Sequence, residues 1–399
     1  MFTSTETKSI IVLNSHPIQY FAPLYRQIAI DQSIQLKVLY CSRHGLNGET
    51  DRQFNTSVRW DIPLLEGYNH AFISNQALNP SIYRFWGLLN LSVIRYLWQA
   101  PKSIVWVHGW AYATCWVALI AAKLFGHTVC LRGEAPYKLE RTKPWLMQRL
   151  RRVVLGQGLF SFIDYFLYIG EQNRRLYTHM GVAPHKLIHM PYAVDNCRFH
   201  QQARVLAETR AALRTQMKVP PGAFVLLMSG KYVAKKRPLD LLKAVAKLKN
   251  PAIVVILMGD GPLRGDIERY VQQQAMSSVY LTGFVNQSAV SDYYAVADVY
   301  VMCSTEEETW GLSTNEAMNF GLPLILSNQV GGADDLVQDG VNGYVVPGGD
   351  VAELAKAIQK MMSQPAEARQ QMGQQSLQLV RQHSYDRIIQ SLQQHLLTP

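Results

Sequence analysis

Glu308 and Glu316, with seven residues between them, bracket Thr309-Trp310-Gly311-Leu312-Ser313-Thr314-Asn315, and an Ala/Met-rich stretch to Pro323 follows. The Trp310-Gly311 kink and the helix-opening Ser313-Thr314-Asn315 predict a helix whose N-terminus is aimed at a pocket. Backbone N–H groups left over at such an end attract anions, phosphate above all. Carboxylates make poor phosphate ligands, but they accept hydrogen bonds from neutral hydroxyls such as those of a sugar. A phosphate-binding helix end fringed by hydroxyl-binding carboxylates is the chemistry of a nucleotide-sugar site.

Upstream, Gly230-Lys231-Tyr-Val-Ala-Lys235-Lys236-Arg237-Pro238 follows a strand and opens a helix. Lys231 and Lys236 there can set two point charges on a diphosphate, with Lys235 and Arg237 as a solvent or support pair. The plainer reading is a solvated helix start. Met258-Gly259-Asp260-Gly261-Pro262-Leu263-Arg264-Gly265 only resembles a dinucleotide fingerprint. Its third glycine is one residue late, so NAD binding is rejected in favour of a tight turn with Pro262 at the first helical position. Asp334-Asp335 and Asp339-Gly-Val-Asn-Gly343 read as turn chemistry, and no metal ligand set is assigned.

In the first half, the chemistry-bearing residues follow predicted strands. Asn14-Ser15-His16-Pro17-Ile18-Gln19-Tyr20 offers His16, an imidazole able to donate and accept near neutrality. With Gln19 and Tyr20, His108 and Glu134 of Arg132-Gly133-Glu134, it forms the candidate acceptor-binding set. Burial of Glu134 at the end of an apolar strand would raise its pKa. The remaining histidines form no ligand pattern.

The positioning elements alternate. Strands are predicted at Ile10–Asn14, Leu36–Tyr40, Ile104–His108, Thr128–Arg132 and Phe166–Ile169, then at Phe224–Ser229, Ile253–Gly259, Val279–Thr282, Val299–Cys303 and Pro323–Ser327. Helical patterns lie between them, so the class is α/β: two doubly wound parallel-sheet domains whose strand ends face a central cleft. The expected division is residues 1–200, 201–375 and a closing helix at 376–399 packing back on the N-terminal domain. A polar hinge is expected near Asp195–Gly222.

A chain of 399 residues, 48% hydrophobic and 17% charged, is long enough for two globular cores. Five scattered cysteines read as reduced packing residues of a cytoplasmic protein. Residues 1–9 show no signal peptide, and no apolar run is long enough to span a bilayer. The net charge of +10 is one-sided: residues 1–200 carry 21 Lys+Arg against 11 Asp+Glu, residues 201–399 carry 18 of each. This points to an anionic partner for the first half, an acidic acceptor or a membrane surface, with nucleic acid disfavoured because no recognition motif is present. The basic stretch Pro144–Leu155 reads as a core-packing helix with arginines outside; the competing reading is a helix lying on anionic lipid.

The second half resembles glycosyltransferase family 4, the retaining group-1 enzymes of GT-B architecture with two Rossmann-like domains. The resemblance is carried by Gly230-Lys231…Lys236, Gly259-Asp-Gly-Pro262, Thr282-Gly-Phe-Val285, Ala297-Asp298-Val, the Glu308…Glu316-Ala-Met run, Gly321-Leu-Pro323 and Asp339-Gly-x-Asn-Gly343. It implies that Glu308 binds donor-sugar hydroxyls and Glu316 the ribose. It implies that backbone N–H groups around Gly311, Leu312 and Ser313 hold phosphate with Lys231 and Lys236, and that main chain at Phe284–Val285 meets the base. Glu308, Lys236 and Lys231 would then be the catalytic set of a metal-independent transfer needing no cofactor beyond its nucleoside-diphosphate-sugar substrate. A carbohydrate or lipid-linked acceptor, in the cytoplasm or at the inner membrane face, is the expected partner. The chain departs from the family pattern at Ser15-His16-Pro17-Ile18-Gln19, where a glycine-rich loop is usual. It departs again at Arg132-Gly133-Glu134, where an active-site histidine is usual, and at Lys231, where arginine is common. The alternatives are a nucleotide-sugar epimerase or hydrolase of the same fold, and an inactive sugar-nucleotide-binding scaffold.

Overall fold

The alternating apolar runs form two parallel sheets in the computed structural model, which describes residues 8–46, 50–51, 56–57 and 59–397. The chain divides into two compact units. The first runs to Pro191 without Thr50–Asp61 and takes in Tyr385 onward; the second holds Thr50–Asp61 and Tyr192–Ser384.

Strands β1 (Lys8–Asn14) and β2 (Ile34–Tyr40) precede the short antiparallel pair β3 (Thr50–Asp51) and β4 (Thr56–Ser57). Then come β5 (His70–Phe72), β6 (Ile104–His108), β7 (Thr128–Arg132), β8 (Tyr165–Tyr168) and β9 (Leu187–His189). The first sheet is ordered β5-β2-β1-β6-β7-β8-β9 and every pairing is parallel. Its core places Ile11, Leu13, Val105, Val107, Val129 and Leu131 against Ala118, Leu119 and Ala122 of the helix Ala113–Leu124.

The second sheet holds β10 (Phe224–Ser229), β11 (Ile253–Met258), β12 (Val279–Leu281), β13 (Val299–Met302), β14 (Leu324–Ser327) and β15 (Gly343–Val346). Its order is β12-β11-β10-β13-β14-β15, again all parallel. Leu226, Met228, Val255, Leu257, Val299 and Val301 pack against Leu241, Leu242, Val245, Leu354 and Ile358 of the helices Pro238–Leu248 and Val351–Ser363. In both sheets the strand order reverses beside the first strand, at β1/β6 and at β10/β13, and loops at such a reversal open a crevice at the carboxyl edge.

Three elements differ from the sequence reading. Asp195–Gly222 is mostly one helix, Asn196–Gln216, capped by the Asp195 carboxylate accepting from Arg198 N–H at 3.0 Å. Arg210 and Arg214 of that helix each reach Asp298 at 2.7 Å, so its polar residues hold the base of the sheet rather than marking a linker. Asp298 also accepts from Val225 N–H at 2.8 Å. The closing helix is two, Ala366–Val380 and Tyr385–Leu392, because His383 N–H turns back to Val380 O at 2.9 Å and ends the first. Pro262 lies before the helix Arg264–Gln273, not at its first position, since the Gly261 turn closes first with Arg264 N–H on Gly261 O at 3.0 Å.

Candidate active site

In the second unit, the loops after β10 and β13 flank the strand-order reversal, and both carry residues singled out from the sequence. The β10 loop leaves the sheet through Gly230, whose missing side chain leaves room for the Lys236 stem. A tight turn, Ala234–Lys236, then hands over to the helix Pro238–Leu248 through Arg237, which adopts a left-handed φ of 51°. Arg237 Nε donates to Asp240 at 2.5 Å, a supporting role as expected. Lys236 Nζ is thereby turned onto Glu308 Oε2 in a close ion pair, and both side chains are nearly buried. Burial alone would push the Glu308 carboxyl up. The Lys236 ammonium, with Lys235 and the Ser304 hydroxyl, more than offsets that and holds it below the ordinary glutamate value. Lys231 stands half-buried in the same loop.

Glu308 is fixed by its own backbone. Its N–H bonds Thr305 O at 3.0 Å, its C=O accepts from Gly331 N–H at 2.9 Å, and Thr305 N–H reaches Lys235 O at 2.8 Å. Gly331 is required there, because a Cβ would sit 2.0 Å from Thr309 O. The chain then turns through Gly311 (φ 93°) into the helix Leu312–Asn319, whose N-cap has no side-chain bond. The amides of Gly311, Leu312 and Ser313 thus form the open positive end of that helix. Trp310, 2% exposed, braces the turn by donating its Nε1–H to Asn315 Oδ1 at 2.8 Å.

Glu316, one turn further, is 2% exposed. Its Oε2 accepts from the Tyr294 hydroxyl at 2.7 Å, and Gln287 Nε2 approaches its Oε1 at 3.5 Å. Tyr300 pairs its hydroxyl with Ser313 Oγ at 2.6 Å. Phe284 and Val285 are half-buried after β12, and the Trp60 ring meets Phe284 edge-on at 5.9 Å. Tyr294, Tyr300, Gln287 and Trp60 were not singled out from the sequence, and Asn315 was read only as part of a helix opener. Trp60 lies more than two hundred residues from Phe284, and no local pattern joins them.

The first unit gathers its candidates at the carboxyl ends of adjacent strands. His16, Gln19 and Tyr20 follow β1, His108 ends β6 and Glu134 follows β7. His16 Nδ1 lies 2.9 Å from Ser15 Oγ, and its ring meets His44 edge-on at 5.4 Å. Burial, with His44 alongside, lowers its pKa to about 4. His108 Nε2 is 3.0 Å from the Tyr25 hydroxyl, and its ring stacks on Trp106 at 5.2 Å. Burial and the Arg132 charge hold it well below the ordinary value, so it is a neutral donor–acceptor near neutrality. Gln19, Tyr20 and Glu134 are half-buried, and the Tyr20 carbonyl accepts from the Tyr385 hydroxyl at 2.8 Å. Glu134 is therefore not the buried carboxylate foreseen for that strand exit.

Asp334 and Asp335 sit on the short helix Ala333–Leu336, and Asp339 accepts from Val345 N–H at 2.9 Å as turn chemistry. Among the described residues, no group of three or more His, Cys, Asp or Glu is arranged to hold a metal ion. None of the described helices is long and apolar enough to cross a membrane.

Two doubly wound parallel sheets define the GT-B type of fold, and the second carries a helix N-terminus after its lysine–carboxylate pair. The second unit, over residues 209–378, matches the family described as glycosyl transferases group 1. It is similar to a D-inositol 3-phosphate glycosyltransferase of Streptomyces bingchenggensis, 29% identical over 49% of this chain and 44% of the relative. It is also similar to the alpha-D-kanosaminyltransferase of Streptomyces kanamyceticus, 29% identical over 41% of this chain and 42% of the relative. These matches span under half the length of the relatives. The fold is shared throughout with HepE of Anabaena in complex with UDP and glucose, at a TM-score of 0.71, 16% identity and 98% and 99% coverage of the two chains. A glycosyltransferase from Rickettsia africae superposes at a TM-score of 0.73, 15% identity and 97% coverage of both.

Proposed function

We propose that this chain is a retaining, metal-independent glycosyltransferase that moves a sugar from a nucleoside diphosphate sugar to a hydroxyl of a glycan, polysaccharide or lipid-linked acceptor. The single observation that carries the reading is the Lys236–Glu308 pair beside the open end of the helix Leu312–Asn319. When a diphosphate arrives, Lys236 and Lys231 shift their charge to its oxygens, and the amides of Gly311, Leu312 and Ser313 bind the same group. Glu308, released from its lysine, accepts hydrogen bonds from sugar hydroxyls. Glu316, already aimed by Tyr294, accepts from the ribose, and main chain at Phe284–Val285 meets the base.

The acceptor oxygen forms its bond to the anomeric carbon on the face from which the phosphate oxygen leaves. The departing phosphate takes the acceptor proton, so no strong protein base is needed. His16, Gln19, Tyr20, His108 and Glu134 are assigned to the acceptor. No cofactor is invoked beyond the donor, and the location proposed is the cytoplasm, peripheral at the inner membrane face.

The test begins with a thermal-shift screen of UDP-, GDP- and ADP-sugars, because a matched donor stabilises the folded chain by mass action. Transfer from that donor to a pooled acceptor extract is then measured for the wild type and for Glu308→Ala. Loss of transfer with retained fold supports the reading; unchanged transfer in Glu308→Ala overturns it. Donor consumption that ignores added acceptor would place the chain among hydrolases instead.

A further inference from the structure

The stretch read from the sequence as a core-packing helix is turned the other way. Trp145–Arg151 is helical, continues into a wider turn at Arg152–Gly158, and none of its first seven side chains is buried. Trp145, Leu146 and Leu150 are 70%, 64% and 56% exposed, and Met147, Val153 and Val154 join them at 43–49%. The inward side is the polar one. Arg151 Nε donates to both carboxylate oxygens of Glu140 at 3.1 Å, and Lys143 Nζ lies 3.4 Å from the same group. Glu140 is only 2% exposed, and Gln148 ties back to Lys143 O at 2.8 Å. A buried carboxylate depends on these partners, so the pair fixes the helix with its apolar side chains toward water.

Contiguous apolar surface of this kind marks an interaction site. Cations accompany it: Arg149 and Arg152 in the segment and Arg141 just before it are exposed as well. The helix Ala113–Leu124 packs on one side against the turn Leu159–Phe162 that follows this segment. It packs also against the helix Ser92–Gln99, where Trp98 is 68% exposed beside an exposed Arg95. Interfacial tryptophans with flanking arginines match a headgroup boundary. Pairing the same face between two copies would set equivalent arginines near one another, which opposes self-association.

We propose that Trp145–Val154 docks the first unit on an anionic bilayer, its apolar side chains entering the headgroup region while Arg149 and Arg152 meet acidic headgroups. The proposal rests on the peripheral location in the functional reading above, but its test involves no sugar transfer.

The full chain is sedimented at low salt with vesicles of phosphatidylcholine alone or mixed with phosphatidylglycerol. Wild type should partition onto the anionic vesicles. Leu146→Ser/Leu150→Ser should lower that partitioning by more than about tenfold. Arg149→Glu/Arg152→Glu should lower it on the order of twenty-fold, on anionic vesicles only. Both variants should keep the wild-type circular dichroism and the donor-induced thermal shift, which separates failure here from failure of the transferase reading. Absence of binding by wild type, or unchanged binding by both variants, overturns the proposal. A wild-type dimer dissociated by Leu146→Ser/Leu150→Ser would do so too, assigning the face to a second copy.

Discussion

Lys236 keeps Glu308 charged in a nearly dry setting, and each needs the other before any ligand arrives. Lys236→Ala strands the carboxylate, so urea unfolding should show a loss of roughly 3 kcal/mol. The same change should lower kcat/KM for transfer by about 10²–10³, as expected when one transition-state charge partner is removed. Lys236→Met combined with Glu308→Gln should recover much of the stability and none of the transfer, which separates folding from chemistry. Because the folded Glu308 pKa is depressed, its contribution is present above the ordinary carboxylate range and is lost as pH falls through the lower folded value. His16 titrates at about 4 when folded, against 6.5 when free, so the unfolded chain binds more protons between those values. Stability should therefore rise with pH across that window, and His16→Asn should flatten the rise in chemical denaturation at stepped pH. Glu308, Lys236 and Glu316 could be singled out as candidates from residue type and spacing, without their roles. Tyr294 and Gln287 could not, since each gains meaning only from the partner that the fold brings to it.

At the scale of elements, loops rather than strands hold Lys236 and Glu308, and glycines let those loops touch. A Cβ on Gly259 would lie 2.0 Å from Gly230 O, and one on Gly331 equally close to Thr309 O. Gly331→Ala should displace the backbone that anchors Glu308, costing on the order of 2–4 kcal/mol in thermal unfolding and abolishing the donor-induced shift. The long strands were readable from unbroken apolar runs flanked by helical patterns, as buried parallel strands require. The short edge strands β5, β9 and β15 were not read, although the equally short edge strand β12 was. The helix Trp145–Arg151 misled for a physical reason. Periodicity shows that a helix has two faces, but only the buried Glu140 decides which one turns inward.

For the whole molecule, two sheets with separate cores predict separable responses. A donor that binds the second unit should raise one calorimetric transition and leave the other nearly unmoved, by an amount that grows with ligand concentration. A single transition shifted as a whole by donor would show that the units unfold together. Their electrostatics differ as well, because the entire positive excess lies within residues 1–200. That asymmetry was countable from composition alone, whereas the patch it surrounds needed coordinates.

Of the five cysteines, Cys41, Cys115, Cys130 and Cys303 are buried, and Cys197 alone is exposed, on the first turn of the helix Asn196–Gln216. That position follows closely on the point where the chain passes into its second unit. A maleimide dye should consequently attach at one place per molecule in unmodified protein, labelling the start of the second unit without any engineered thiol.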